Sequence, residues 1–157
     1  MGVSGSGKTT VGGLLARRLG WPFFDADNFH PPANVEKMRQ GVPLTDEDRL
    51  PWLERLGELI AGCLSRNENA VLACSALKES YRGALSGGDP RVRFVHLRAD
   101  PDLLATRLER RTGHFFTRSL LESQLASLEE PEDALVIDAS APPEEIVRNI
   151  QERLRLK

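Results

Sequence analysis

The run Gly2-Val3-Ser4-Gly5-Ser6-Gly7-Lys8-Thr9 constrains this chain more than any other stretch. It meets the pattern G-x-x-x-x-G-K-[ST] at every fixed position. Glycines at these places let the backbone curl until successive N–H groups point inward at phosphate oxygens. Lys8 to Leu19 then sets Val11, Leu14, Leu15 and Leu19 on one stripe, so a helix should begin at the loop and add the positive end of its dipole. A glycine-rich turn that merely happens to precede a helix has no need of the lysine. The nucleotide-binding set is therefore Gly2, Val3, Ser4, Gly5, Ser6, Gly7, Lys8, Thr9 and Thr10. Lys8 is expected to bridge the β- and γ-phosphates of ATP, and the Thr9 hydroxyl to ligate Mg²⁺. The loop does not say which hydroxyl receives a phosphate, because hydrolases and switches use it too.

Beyond the loop, short apolar runs alternate with longer amphipathic segments, which predicts an α/β fold with a parallel sheet and helices on both faces. The expected strands are Phe23 to Asp25, Ala70 to Cys74, Val92 to Leu97 and Ala134 to Asp138. Helices are expected over Asp48 to Ser65, from Pro101 to Arg111 after an Asp100 cap, and from Pro143 onward. The length of 157 residues fits one domain spanning 1–157. A phosphate loop of this type normally follows a buried strand, and almost nothing precedes this one, so the expectation is a sheet whose first strand is missing from the chain as given.

Charge and composition narrow the partners. With 21 basic against 23 acidic residues the net charge is −2, which argues against bulk nucleic-acid binding. No apolar stretch approaches the roughly 18 residues of a membrane span. Cys63 and Cys74 lack metal-ligand spacing and are expected to be buried free thiols in a reducing cytoplasm.

The apolar run Trp21 to Phe24 ends in Asp25-Ala26-Asp27. Ligands in open α/β sheets sit beyond the carboxyl ends of strands, so both aspartates should reach that edge. Alternation along an extended strand would put them on one face. Asp25 is assigned to the metal side and Asp27 to accepting a hydroxyl proton; a solvated turn is the competing reading.

Asp25-Ala26-Asp27-Asn28-Phe29-His30-Pro31 continues into Asn34, Lys37-Met38 and Gly41, then Pro43-Leu44-Thr45-Asp46-Glu47-Asp48-Arg49 and Pro51-Trp52-Leu53. Later come Cys74-Ser75-Ala76-Leu77-Lys78 with Tyr81-Arg82, and Gly113-His114-Phe115-Phe116. Over nearly the whole chain this resembles the bacterial-type gluconokinases. The resemblance implies a P-loop NTPase with a nucleoside-monophosphate-kinase-like fold, ATP and Mg²⁺ as cofactors, D-gluconate as substrate and a possible homodimer. A shikimate kinase shares the loop and the acidic pair but leaves the Pro-Leu and Pro-Trp block unexplained. A non-catalytic nucleotide-binding domain is a third reading.

A sugar acid needs a cation for its carboxylate and hydrogen-bond partners for its hydroxyls. Arg49 is the first choice for the carboxylate, with Asp27, His30, Lys78, Arg82 and His114 as further substrate contacts. Asp48 pairs with Thr45 in a capping-box pattern and reads as structural. Lys78 and Arg82, four apart, should share one helix face. Arg107 and Arg111 open a lid over about 107–120 and are expected, with Lys8 and Asp27, to serve catalysis; arginines ending a helix also simply suit its dipole.

Overall fold

The fold is described from a computed structural model for residues 1–110 and 118–157. Among these residues four strands run parallel: β1 (Phe23–Asp25), β2 (Val71–Ala73), β3 (Val95–Arg98) and β4 (Leu135–Asp138). Seven helices connect and flank them: α1 (Lys8–Leu19), α2 (Pro32–Arg39), α3 (Asp46–Ser65), α4 (Glu79–Ser86), α5 (Pro101–Glu109), α6 (Arg118–Ser127) and α7 (Pro143–Leu154). A 3-10 turn over Ala26–Phe29 leaves β1.

Strand neighbours show why both sheet faces are covered. Val71 and Val95 pack with Val11, Leu15, Ile146 and Ile150 of α1 and α7. Their neighbours Leu72 and Phe94 pack with Trp52, Leu56, Tyr81 and Leu85 of α3 and α4. Successive side chains on a strand point to opposite faces, so each strand feeds two helical layers. Gly12 lets α1 lie close on β1: a Cβ there would sit 2.9 Å from the Phe23 ring. A third cluster of Val3, Leu77, Leu104 and Leu121 supports the phosphate loop from below.

The sheet is divided. β1 pairs with β2, and β3 with β4, but β2 and β3 do not pair with each other. Among the described residues, Met1 and Gly2 bridge them: the Met1 nitrogen donates to Val95 O, Leu97 N–H donates to Met1 O, and Gly2 N–H donates to Ser75 O. Below that bridge lies an apolar cleft of about 360 Å³, lined by Leu15, Val71, Leu72, Phe94 and Val95 among others.

The expected strands and the α1, α3, α5 and α7 helices appear with ends shifted by up to three residues. Cys63 and Cys74 are buried free thiols, and burial pushes the Cys74 thiol up to about 11. No helix among the described residues is long and apolar enough to cross a membrane.

Candidate active site

Gly7 is the N-cap of α1, in the left-handed region at φ 93°, and no side chain caps the helix. The first N–H groups of a helix have no partner inside it, so here they remain available to an anion. Several contacts fix the loop. Ser6 N–H donates to Val3 O at 3.3 Å, and Lys8 Nζ folds back to Val3 O at 3.0 Å. From far along the chain, Gln124 of α6 accepts the Ser4 N–H at 2.8 Å. Arg107 of α5 donates to Gly5 O at 3.4 Å and to Ala139 O at 2.8 Å. A pocket of about 300 Å³ opens beside this arginine, between Gly5–Gly7, Thr10 and Pro143.

The acidic pair meets the loop through one carboxylate. Asp25 Oδ2 accepts from the Thr9 hydroxyl at 2.7 Å, and Oδ1 accepts from the Asp27 N–H at 3.1 Å. The expectation that strand alternation aligns the two aspartates is corrected. β1 stops at Asp25, and the chain turns because the Asp25 side chain caps the 3-10 turn. The buried Trp52 indole holds that turn, donating to Ala26 O at 2.7 Å. A hydroxyl and a carboxylate in contact are hard oxygen donors of the kind Mg²⁺ takes, so Thr9 and Asp25 fit the assigned metal side.

A second group of candidate residues is built on and around α3. Its start carries the expected capping box, in which Thr45 Oγ1 accepts from Asp48 N–H and Asp48 accepts from Thr45 N–H. Lys37 adds two bonds to the same carboxylate, at 2.7 and 2.8 Å. His30 stacks on Trp52 with ring centroids 4.5 Å apart. Burial, and secondly the Arg49 charge, lower its pKa to about 4. The imidazole is therefore neutral near pH 7 and can both donate and accept.

Arg49 donates to Leu44 O at 2.6 Å and lies 5.7 Å from the centre of the Tyr81 ring. Lys78 Nζ stands 5.6 Å from the same centre and donates to both Asp46 oxygens at 2.9 Å. The Tyr81 hydroxyl donates to Asp46 as well. These contacts hold the Asp46 carboxyl below the usual carboxylate range, with the tyrosine hydroxyl the largest cause and Lys78 the next.

Two expectations change here. Lys78 is the residue before α4, and Arg82 is inside it, so they do not share an exposed face. Arg82 is buried and donates to Ala76 O at 3.0 Å and Leu77 O at 3.1 Å, which braces the β2–α4 loop. Arg111 and His114, with half of the expected lid, lie outside the described residues. Asp46 and Gln124 escaped the sequence reading. Asp46 looks like any acidic residue in a helix first turn, and Gln124 meets the loop across 120 positions with no local signal.

Known proteins resemble this chain throughout. A family model described as shikimate kinase matches residues 4–155. A gluconokinase of Gluconobacter oxydans is 51% identical, over 96% of this chain and 89% of its own length. Among solved structures, a sugar kinase from Janibacter superposes with a TM-score of 0.92 at 43% identity, covering 99% of this chain and 92% of that one. A gluconokinase from Sinorhizobium meliloti superposes with a TM-score of 0.84 at 44% identity, covering 99% and 93%. With a phosphate loop, an acidic turn and a cationic wall brought to one sheet edge, the chain belongs to the gluconokinase family of shikimate-kinase-like P-loop kinases.

Proposed function

We propose that this chain transfers the γ-phosphoryl group of ATP to the terminal hydroxyl of D-gluconate, giving 6-phospho-D-gluconate. The observation that carries the reading is the Asp25 carboxylate, which holds the Thr9 hydroxyl and the Asp27 N–H at once. It joins the nucleotide side to the acceptor side at a single point.

Phosphoryl transfer asks a protein mainly to position reactants and to offset charge. The loop N–H groups and Lys8 hold the β- and γ-phosphates. Thr9 and Asp25 would hold Mg²⁺, and the ion would supply further charge neutralisation at the phosphates. Asp27, exposed at the mouth of the turn, orients the acceptor hydroxyl and takes its proton. Arg49 and Lys78 face the carboxylate end of the sugar acid, and neutral His30 bonds a hydroxyl. Arg107 already spans the loop and Ala139, and it offsets charge from that side. Arg111 and His114 complete the lid in this reading. Arg82 acts indirectly, by bracing the loop that carries Lys78. A homodimer in the cytoplasm belongs to the same reading, and sedimentation at twice the chain mass would support the dimer.

The test is ATP consumption by the purified protein with D-gluconate, shikimate and adenosine monophosphate in parallel. Turnover on gluconate alone is expected, and Asp27→Asn should lower kcat by roughly 10²- to 10⁴-fold while ATP still binds. Turnover on shikimate or the monophosphate instead would move the substrate elsewhere. ATP binding without turnover on any polyol acid would favour a non-catalytic domain.

A further inference from the structure

Asp46 opens α3, yet the helix does not need it as a cap, because Thr45 and Asp48 already form the capping box. Its carboxylate is used differently. Oδ1 accepts from both Lys78 Nζ and the Tyr81 hydroxyl, and Oδ2 accepts a second bond from Lys78. Lys78 and Tyr81 come from the start of α4, more than thirty residues away, so one carboxylate ties the beginnings of two helices together. Between them stands the Tyr81 ring, with the Arg49 guanidinium 5.7 Å and the Lys78 ammonium 5.6 Å from its centre. A guanidinium over an aromatic face is restrained in place without losing its donors. The Asp46 side chain is 58% exposed, and exposed ion pairs contribute little to stability. The arrangement therefore says more about position than about folding.

We propose that Asp46 is a positioning residue for binding of the substrate carboxylate: it gathers Lys78 and Tyr81 so that the Tyr81 ring forms a platform under Arg49. The proposal rests on the gluconate reading above. Without Asp46, Lys78 is free to swing and the Tyr81 ring loses its anchor, so Arg49 keeps its bond to Leu44 O but loses a fixed platform and is presented over a wider range of orientations. Binding of the sugar acid weakens while the transfer step, which lies at Asp27 and the phosphate loop, continues.

Tyr81 is the only tyrosine in the chain, so its phenolate absorbance reports this cluster directly. Burial and the bond to Asp46 raise its pKa, while Arg49 and Lys78 pull it down. Removing the Asp46 charge should thus move the phenol titration to lower pH. In Asp46→Asn, KM for gluconate should rise about five- to tenfold, with kcat within twofold and KM for ATP unchanged. Asp46→Glu should restore most of both signals. Circular dichroism at a range of temperatures would check that the fold is retained. An unchanged or lower KM for gluconate overturns the proposal, a lower one because it would make Asp46 a competitor for the same cations. An unmoved phenol titration overturns it too. That titration needs no substrate: if the parent protein fails to turn over gluconate, the functional reading fails, and the phenol shift still decides whether Asp46 organises the cluster.

Discussion

The imidazole of His30 lies on the Trp52 indole, half-buried and within reach of the Arg49 charge, and its pKa falls from 6.5 to about 4. The direction of the consequence follows from proton counting. Between about pH 6.5 and 4 the unfolded chain carries a proton on this histidine that the folded chain refuses. Stability therefore falls as the pH is lowered through that window and is unaffected by His30 above it. His30→Gln, which keeps hydrogen-bonding capacity without titrating, should show a flatter decline in Tm between pH 6.5 and 4. Parallel curves for the two proteins would show that burial of His30 does not couple to folding. At this scale much was legible in the sequence. Lys8 and Thr9 sit where the fixed spacing of a phosphate loop put them, and Asp25 ends β1 as the strand reading expected. What could not be read was the environment of His30, or the inward turn of Arg82, since both depend on partners that packing supplies.

At the scale of elements, legibility followed periodicity. α1, α3 and α7 bury apolar stripes and announced themselves. α2 was missed because only Asn34 among its eight residues is buried, so it carries no stripe to recognise. The strand was expected to end at Asp25 and does, but the turn at Ala26–Phe29 stood only as the competing reading to a strand running on through Asp27, because its cause is a side-chain cap from Asp25 and not a residue pattern. α6 was missed as well, and it matters most for the site. It supplies Gln124, whose Oε1 accepts the Ser4 N–H in the phosphate loop. Losing that acceptor leaves a partly buried N–H without its partner, an effect of about 1 kcal/mol. Gln124→Leu should accordingly raise KM for ATP roughly fivefold and leave KM for gluconate within twofold. Equal rises for both substrates would assign Gln124 to general stability instead of to the loop.

Across the whole molecule, the division of the sheet is the feature with the largest energetic reach. Among the described residues no strand pairs with the facing edges of β2 and β3 below Met1, and the cleft between them is lined mainly by apolar side chains. At its upper end the Met1 amino group is buried, and burial, reinforced by the Lys8 charge, lowers its pKa to about 5. Taking up a proton there is disfavoured only in the folded state. Stability is therefore lost as the pH falls from about 8 to 5, a window that begins above the one His30 governs. The hydrogen bonds of Met1 to Val95 and Leu97 already set a parallel register. An extension of five β-branched residues ahead of Met1 would continue that register down the cleft, spanning roughly 16 Å. It would bury apolar side chains on both faces, as central parallel strands do, and would replace the buried amine with an uncharged amide. The expected outcome is a rise in Tm of about 5 °C or more, with the decline between pH 8 and 5 reduced. Amide exchange should slow in β2 and β3 while α7 is unchanged. A glycine-serine extension of equal length removes the terminal amine but cannot pack, so it isolates the contribution of the strand. Equal gains from the two extensions would mean that the cleft does not accept a strand and that only the amine matters.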